Sequence, residues 1–373
     1  MKHYRTTVYW PLAALLSWLA AMAWVCGEIG AAGIAWGLPL STAITLSIAG
    51  TFLWLDRWAA GRPKLLFSAF VWGASVAGFC SIWSQEGLQA LVDTYAGIEF
   101  GKWFRPLVIT PVTEELFKGL FLVWMLMYRR AQLRGWLDGI VYGGLIGAGF
   151  AFSEQTYYFG QVIIKYLARD PANSAATMML AMSFVLRGLM VPFMHSFFVA
   201  FIGLGVAAAA GTRNRIAQGI AVVLGFVIPI VLHGAWDWAG LAGGDPFLIF
   251  KLYAVVMLPL FTALTIFAVI QRRQRGKDIA AALPGLARDG HIARHEIALL
   301  ESLTQRRRWR SEVRRRAGRA AALSTARYQA EASALAILSV RAFATGRYDV
   351  VGEQAIALSN ARREMARALN PSA

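Results

Sequence analysis

The chain has 373 residues, of which 57% are hydrophobic and only 16% are charged, and its formal net charge is +16. Soluble domains carry about 25% charged residues, and the 14 tryptophans suit the boundary between a membrane and water. This composition excludes an ordinary soluble protein. The two cysteines exclude a fold held together by several disulfides.

Eight apolar segments have roughly the 20-residue length that a membrane-spanning helix needs. They are 8–26, 31–55, 65–83, 106–128, 139–160, 188–210, 216–240 and 249–270. We therefore predict an all-α polytopic membrane bundle of about eight transmembrane helices. The apolar segment 172–187 is shorter, which predicts a re-entrant or surface helix, with Arg187 reaching out to the membrane boundary.

Lysine and arginine collect on one side of the predicted bundle. The residues on this side are Lys2, Arg5, Arg57, Lys64, Arg129, Arg130, Arg134, Arg213 and Arg215. Glu28, Glu86 and Asp93 fall on the other side. Cytoplasmic loops are enriched in Lys and Arg, so the first side is predicted to be cytoplasmic, and eight spans place both termini there.

The segment after the last span is basic, with 20 Lys+Arg against 9 Asp+Glu in 271–373. Its apolar residues recur at helical spacing, while Pro284 and Gly285 predict an interruption near its start. We expect a small helical cytoplasmic tail that lies on anionic lipid headgroups, and we expect no nucleic acid partner. The predicted division is 1–105 for N-terminal transmembrane helices, 106–270 for a catalytic core and 271–373 for the tail.

Ionisable side chains inside the predicted spans indicate function, because each costs about 2.5–3.5 kcal/mol to insert. These residues are Glu114, Glu115, Lys118, Glu154, His195, His233 and Asp237. A rise of about 1.5 Å per residue places the glutamates and both histidines about 9–14 Å below the outer end of their helices. Four helices therefore bring carboxylates and imidazoles to one layer in the outer half of the bilayer.

Helical spacing predicts how these side chains pair. Glu114 and Lys118 are four residues apart and share a helix face, whereas Glu115 points about 100° away. Asp237 lies four residues after His233 and can fix the tautomer of its imidazole. The span that carries Glu154 is predicted to pack closely on a neighbour through small residues. These are Gly143, Gly144, Gly147 and Gly149.

Two histidines and several carboxylates in one layer favour hydrolysis by an activated water. One version uses imidazole and carboxylate ligands to a zinc-like divalent metal with an open position. The other uses a glutamate as general base, with histidines stabilising an oxyanion. The competing class is a non-proteolytic membrane protein, either a proton- or ion-coupled transporter or a scaffold, which would use the same buried pocket.

Four motifs in order resemble those of the PrsW family of intramembrane proteases. Residues 114–118 (EELFK) resemble its EExxK motif, and 149–154 (GFAFSE) resemble its GFAxxE segment. His195 and the segment 233–237 (HGAWD) resemble its third and fourth motifs. The family is distantly similar to the CAAX-prenyl endopeptidase and bacteriocin-processing group. The resemblance covers 106–240 and does not extend to the tail.

The resemblance implies cleavage of a membrane-anchored protein near the outer face of a bacterial inner membrane, with an anti-sigma factor or another regulator as substrate. It implies that Glu114 or Glu115 activates water and that Glu154 and His195 complete a water or metal site. His233, with Asp237, would then bind either the metal or the oxyanion. The metal ligands so implied are Glu154, His195 and His233.

Overall fold

The computed structural model describes residues 2–58, 63–168, 174–241, 245, 247–345 and 349–370. Every regular element in these ranges is helical, which confirms the predicted all-α class. The first half contains α1 (Lys2–Leu55), α2 (Pro63–Ala96), α3 (Ile98–Phe104), α4 (Thr110–Tyr128), α5 (Trp136–Leu167) and α6 (Ser174–Ser183). The second half contains α7 (Met194–Gly211), α8 (Arg215–Leu241), α9 (Leu248–Arg288), α10 (Glu296–Leu300), α11 (Leu303–Thr345) and α12 (Asp349–Leu369).

The predicted spans 8–26 and 31–55 meet at a kink inside α1. Gly30 has φ 69° and ψ 171°, a backbone conformation that residues with a side chain rarely adopt. Because the chain is helical on both sides of Gly30, the two predicted helices form one continuous element with a kink. The break therefore lies in the gap that the hydropathy pattern left between the two spans.

Five helical segments in the described ranges are long and apolar enough to cross a membrane. They are Trp10–Trp58, Pro63–Ala96, Leu180–Gly211, Arg215–Leu241 and Leu248–Arg288. Helices α4 and α5 are less apolar, because α4 carries three ionisable residues and α5 is rich in glycine. Helix α5 tolerates this composition because most of its length is buried inside the bundle.

Helix α5 is the central element, packed against α1 on one side and α7 on the other. A Cβ added at Gly143 would lie 2.4 Å from the carbonyl oxygen of Val199, and one at Gly147 would lie 2.4 Å from that of His195. At Gly149 the nearest atom would be the carbonyl oxygen of Phe70, at 2.0 Å. Only glycine permits these approaches, so the predicted close packing of this span is confirmed.

The segment 172–187 forms α6 and a π-helical turn, Phe184–Met190, while residues 172 and 173 lie outside the described part. After this turn the chain bends before α7 begins at Met194, later than the predicted span start at 188. His195 therefore lies in the first turn of its helix.

The predicted interruption at Pro284 and Gly285 is wrong, because α9 continues through both residues to Arg288. Leu283 and Leu286 on either side are buried in an apolar core with Ile279 and Leu335. This burial outweighs the backbone hydrogen bond that the proline removes. Helices α10, α11 and α12 pack around the same core, so residues 279–369 bury an apolar interior apart from that of the spans. The division of the chain into three domains stays a prediction.

Candidate active site

Four helices bring all seven ionisable residues singled out in the sequence into one connected cluster. Helix α4 supplies Glu114, Glu115 and Lys118, and α5 supplies Glu154. Helix α7 supplies His195, while His233 and Asp237 lie one turn apart on α8. The predicted convergence of four helices is thus present in the structure.

Lys118 lies at the centre of this cluster and is fully buried. Its Nζ is 2.9 Å from Oε2 of Glu114, 2.9 Å from Oε1 of Glu115 and 3.1 Å from Nδ1 of His195. The expected pairing of Glu114 with Lys118 is confirmed. Glu115 also contacts Lys118, because residues three apart on a helix are neighbours as well. One ammonium group therefore neutralises charge on two carboxylates.

The imidazole of His233 lies between three carboxylates. Its Nδ1 is 3.0 Å from Oε1 of Glu115, while its Nε2 is 3.5 Å from Oδ2 of Asp237 and 3.9 Å from Oε2 of Glu114. Asp237 was expected to fix the tautomer, but Glu115 is the closer partner. Nδ1 donates to Glu115, and Nε2 faces Glu114 and Asp237.

His195 connects Lys118 to Glu154. Its Nδ1 lies 3.1 Å from Nζ of Lys118, and its Nε2 is in close contact with Oε2 of Glu154. The rings of His195 and His233 meet edge to face, with their centroids 5.8 Å apart. The two histidines therefore border the same small space.

Arg187 belongs to the site, and that it also reaches out to the membrane boundary stays a prediction. Its Nη1 lies 3.4 Å from Oε1 of Glu154, and its guanidinium stacks 3.3 Å from the ring centroid of Tyr158. Arg187 lies in the π-helical turn Phe184–Met190. A cation within an apolar segment was the signal that could have indicated this role.

Gln85 is a second residue that the sequence reading missed. Its Nε2 lies 3.4 Å from Oε1 of Glu114, and its Oε1 accepts a hydrogen bond from the hydroxyl of Thr110 at 3.4 Å. Gln85 lies on α2, beyond the end of the predicted span 65–83. A neutral amide at the end of an apolar segment carries no distinctive signal, so only the fold could reveal this contact.

Exposure increases from one side of the cluster to the other. The side chains of Glu115 and Lys118 are 0% exposed, whereas those of Glu154, Asp237 and Arg187 are 22%, 24% and 34% exposed. The site is therefore closed at Glu115 and Lys118 and has a partly open mouth, which is formed by Glu154, Asp237 and Arg187.

In the described part of the chain, two sets of side chains could hold a metal ion, with the ligand atoms of each set within 4.8 Å of one another. One set is Glu114, Glu154 and His195, and the other is Glu114, Glu115 and His233. Imidazole nitrogen and carboxylate oxygen are typical zinc donors. Oε2 of Glu115 is buried without a hydrogen-bond partner in the described residues, an arrangement that a bound cation would satisfy. These residues therefore fit a metal. The trio Glu154, His195 and His233 stays a prediction.

Comparison with protein families supports the chemistry of this cluster. The family described as PrsW family intramembrane metalloprotease matches residues 61–264, which include every candidate site residue and end before the basic tail. Searches of curated proteins and of solved structures gave no match. The match covers more than half of the chain and favours a peptide hydrolase over a transporter. The chain belongs to the PrsW family of intramembrane metalloproteases.

Proposed function

We propose that the cluster around Lys118 hydrolyses a peptide bond of a membrane-anchored protein near the outer face of a bacterial inner membrane. We also propose that both termini of the chain are cytoplasmic. The observation that carries this proposal is the cluster itself, in which four helices bring three glutamates, two histidines and an aspartate together around one buried lysine. A membrane-anchored regulator, such as an anti-sigma factor, is the proposed class of substrate.

The proposed metal-binding residues are Glu114, Glu154 and His195. This set lies at the open mouth, whereas the alternative with Glu115 and His233 is wholly buried. Nε2 of His195 and Oε2 of Glu154 are in contact with each other in this set. A divalent metal such as zinc, when bound there, would supply Lewis acidity to a scissile carbonyl.

His233 is the proposed proton carrier. Its Nδ1 donates to Glu115, so the neutral imidazole presents the lone pair of Nε2 to the attacking water. Asp237, 3.5 Å away, stabilises the resulting imidazolium. When the bond between carbonyl carbon and amide nitrogen breaks, the same Nε2–H group returns its proton to the leaving nitrogen.

The remaining residues position this machinery. Lys118 contacts both Glu114 and Glu115 and compensates their negative charges. Without this ammonium group, two neighbouring buried carboxylates could not both stay ionised. Arg187 contacts Oε1 of Glu154, so that Oε2 of the same carboxylate faces His195. Because Arg187 and Asp237 border the mouth, a substrate backbone entering there meets groups that can bind its amides.

The experiment that tests the proposal compares the membrane proteomes of cells that produce the wild type, Glu154→Gln or Glu99→Gln. Glu99 is the matched control, because it is 85% exposed and pairs only with Lys102 in the described part of the chain. We expect at least one membrane protein to be cleaved in wild-type and Glu99→Gln cells and to remain intact with Glu154→Gln. Identical processing in all three strains contradicts the proposal.

A further inference from the structure

Four arginines that are distant in sequence converge at the tail-side end of the bundle. Arg57 follows the end of α1, Arg272 lies on α9, and Arg307 and Arg310 lie on α11. The carbonyl oxygens of Trp54 and Trp58, on either side of Arg57, accept hydrogen bonds from Arg272 and from Arg306, the neighbour of Arg307. The fold therefore holds like charges together at this place.

No carboxylate in the described part of the chain lies within salt-bridge distance of these four arginines. Arg310 donates instead to the neutral amide oxygen of Gln329, at 2.7 Å. Burial and the positive charges of Arg57 and Arg307 lower the pKa of Arg310. The cluster therefore carries positive charge that the protein does not neutralise, which favours a bound anion.

Tryptophans place this cluster at the level of the membrane boundary. The guanidinium of Arg272 lies 3.9 Å from the ring centroid of Trp54, and its Nε donates to the Trp54 carbonyl oxygen at 3.2 Å. Arg306 donates to the carbonyl oxygen of Trp58 at 3.1 Å. Tryptophan is enriched where lipid headgroups meet the apolar core of a bilayer. This placement indicates that the arginines face the headgroup phosphates of that leaflet.

Helix α11 extends the cluster along one face. At about 100° per residue, Arg307, Arg308, Arg314 and Arg315 fall within an arc of roughly 120°. All four are exposed, whereas Arg306 and Val313 on the opposite face are buried against the tail core. A basic strip thus continues outward from the point where α11 meets the end of α1.

We propose that Arg57, Arg272, Arg307 and Arg310 bind the phosphate of an anionic phospholipid headgroup. Guanidinium groups match phosphate oxygens in charge and in geometry. Three elements that meet at one membrane level suit a ligand that is confined to that level. This site is separate from the cluster around Lys118 and does not depend on the proposed cleavage.

The test measures thermal stability of the full-length protein in neutral detergent while phosphatidylglycerol, phosphatidylcholine or inorganic phosphate is added. A ligand that binds the folded state raises the melting temperature in a concentration-dependent way. We compare the wild type with Arg57→Gln/Arg307→Gln, since both side chains are exposed and their loss relieves repulsion. Arg294→Gln/Arg363→Gln is the control with the same change in net charge, at two exposed arginines elsewhere in the tail.

The proposal predicts that phosphatidylglycerol stabilises the wild type and that phosphatidylcholine does not. Each arginine near an anionic surface contributes about fivefold in affinity, so the double variant should need roughly 25-fold more phosphatidylglycerol. The control should stay within about twofold of the wild type. Equal responses of both double variants overturn the proposal, as does equal protection by phosphatidylcholine. Equal protection by inorganic phosphate overturns the assignment to a lipid. The melting temperature of each variant without lipid shows whether it is folded.

Discussion

Lys118 and Glu115 form the deepest ion pair of the active site, with Nζ 2.9 Å from Oε1 and both side chains fully buried. Charges in such a place are costly unless each one is compensated. Because Lys118 also contacts Glu114 and His195, this lysine connects the two sets of candidate metal ligands.

Lys118→Met should destabilise the protein by about 3–5 kcal/mol, because it leaves Glu114 and Glu115 as uncompensated buried charges. Unfolding of the purified protein in detergent measures this change. Lys102→Met is the matched control. Its pair with Glu99 is 61% and 85% exposed, and its loss should change stability by less than about 1 kcal/mol. Equal effects of the two substitutions would show that Lys118 does not compensate the charges of Glu114 and Glu115 in the folded protein.

Metal content should separate the proposed roles of Glu114 and His233. Glu114→Gln removes a proposed ligand and should weaken metal binding more than about 100-fold, whereas His233→Gln should retain the metal. His233→Gln should still lower the rate of hydrolysis about 100- to 10,000-fold, because the proposed acceptor of the water proton is lost. Elemental analysis and competition with a chelator measure the binding. If the His233 variant loses the metal and the Glu114 variant retains it, then His233 is the metal ligand and Glu114 is the proton acceptor.

Arg187 should act through Glu154. Arg187→Met removes the partner of Glu154 Oε1 and should reduce metal affinity or turnover about 10- to 100-fold, as loss of a residue that orients a ligand does. Arg187→Lys restores the charge but not the stacking on Tyr158, so we expect partial recovery. Metal affinity measured with a chelating indicator tests this independently of activity. Unchanged affinity in Arg187→Met would show that the contact with Glu154 has no such role.

Gly147→Ala should disturb the site from a distance, because its Cβ would lie 2.4 Å from the carbonyl oxygen of His195. Such overpacking costs about 1–3 kcal/mol and should shift the helix that carries this histidine. Gly219→Ala on α8 is the control, since no atom lies within 4 Å of the added Cβ. That substitution should be neutral or stabilise by about 0.5–1 kcal/mol. Melting temperature and activity of both variants measure the difference.

The sequence predicted the helices and the composition of the cluster well, because both depend on patterns within single spans. Buried charges stand out in apolar segments, and their depth follows from the helix rise. The i, i+4 spacing of Glu114 and Lys118 likewise predicted a contact that the structure contains.

Contacts between helices could not be predicted in the same way. Neither the contact of Glu115 with His233 nor that of Arg187 with Glu154 has a signal in the spacing, because each depends on how two helices are rotated relative to each other. The path of α9 through Pro284 depended on burial in the tail core, which propensity alone does not show. The convergence of Arg57 with Arg272 and Arg310 likewise needs the tertiary fold.

We propose above all that the cluster around Lys118 cleaves membrane proteins and that this cleavage requires a bound metal. The most direct measurement incubates the purified enzyme, reconstituted in lipid vesicles, with membrane proteins from cells that lack it, and identifies new protein N-termini by mass spectrometry. The account predicts new N-termini within or beside transmembrane segments with the wild type. These should be lost with Glu154→Gln or a chelator and should return when zinc is added back to the wild type. New N-termini that persist in Glu154→Gln, or none with the metal-loaded wild type, would contradict the account.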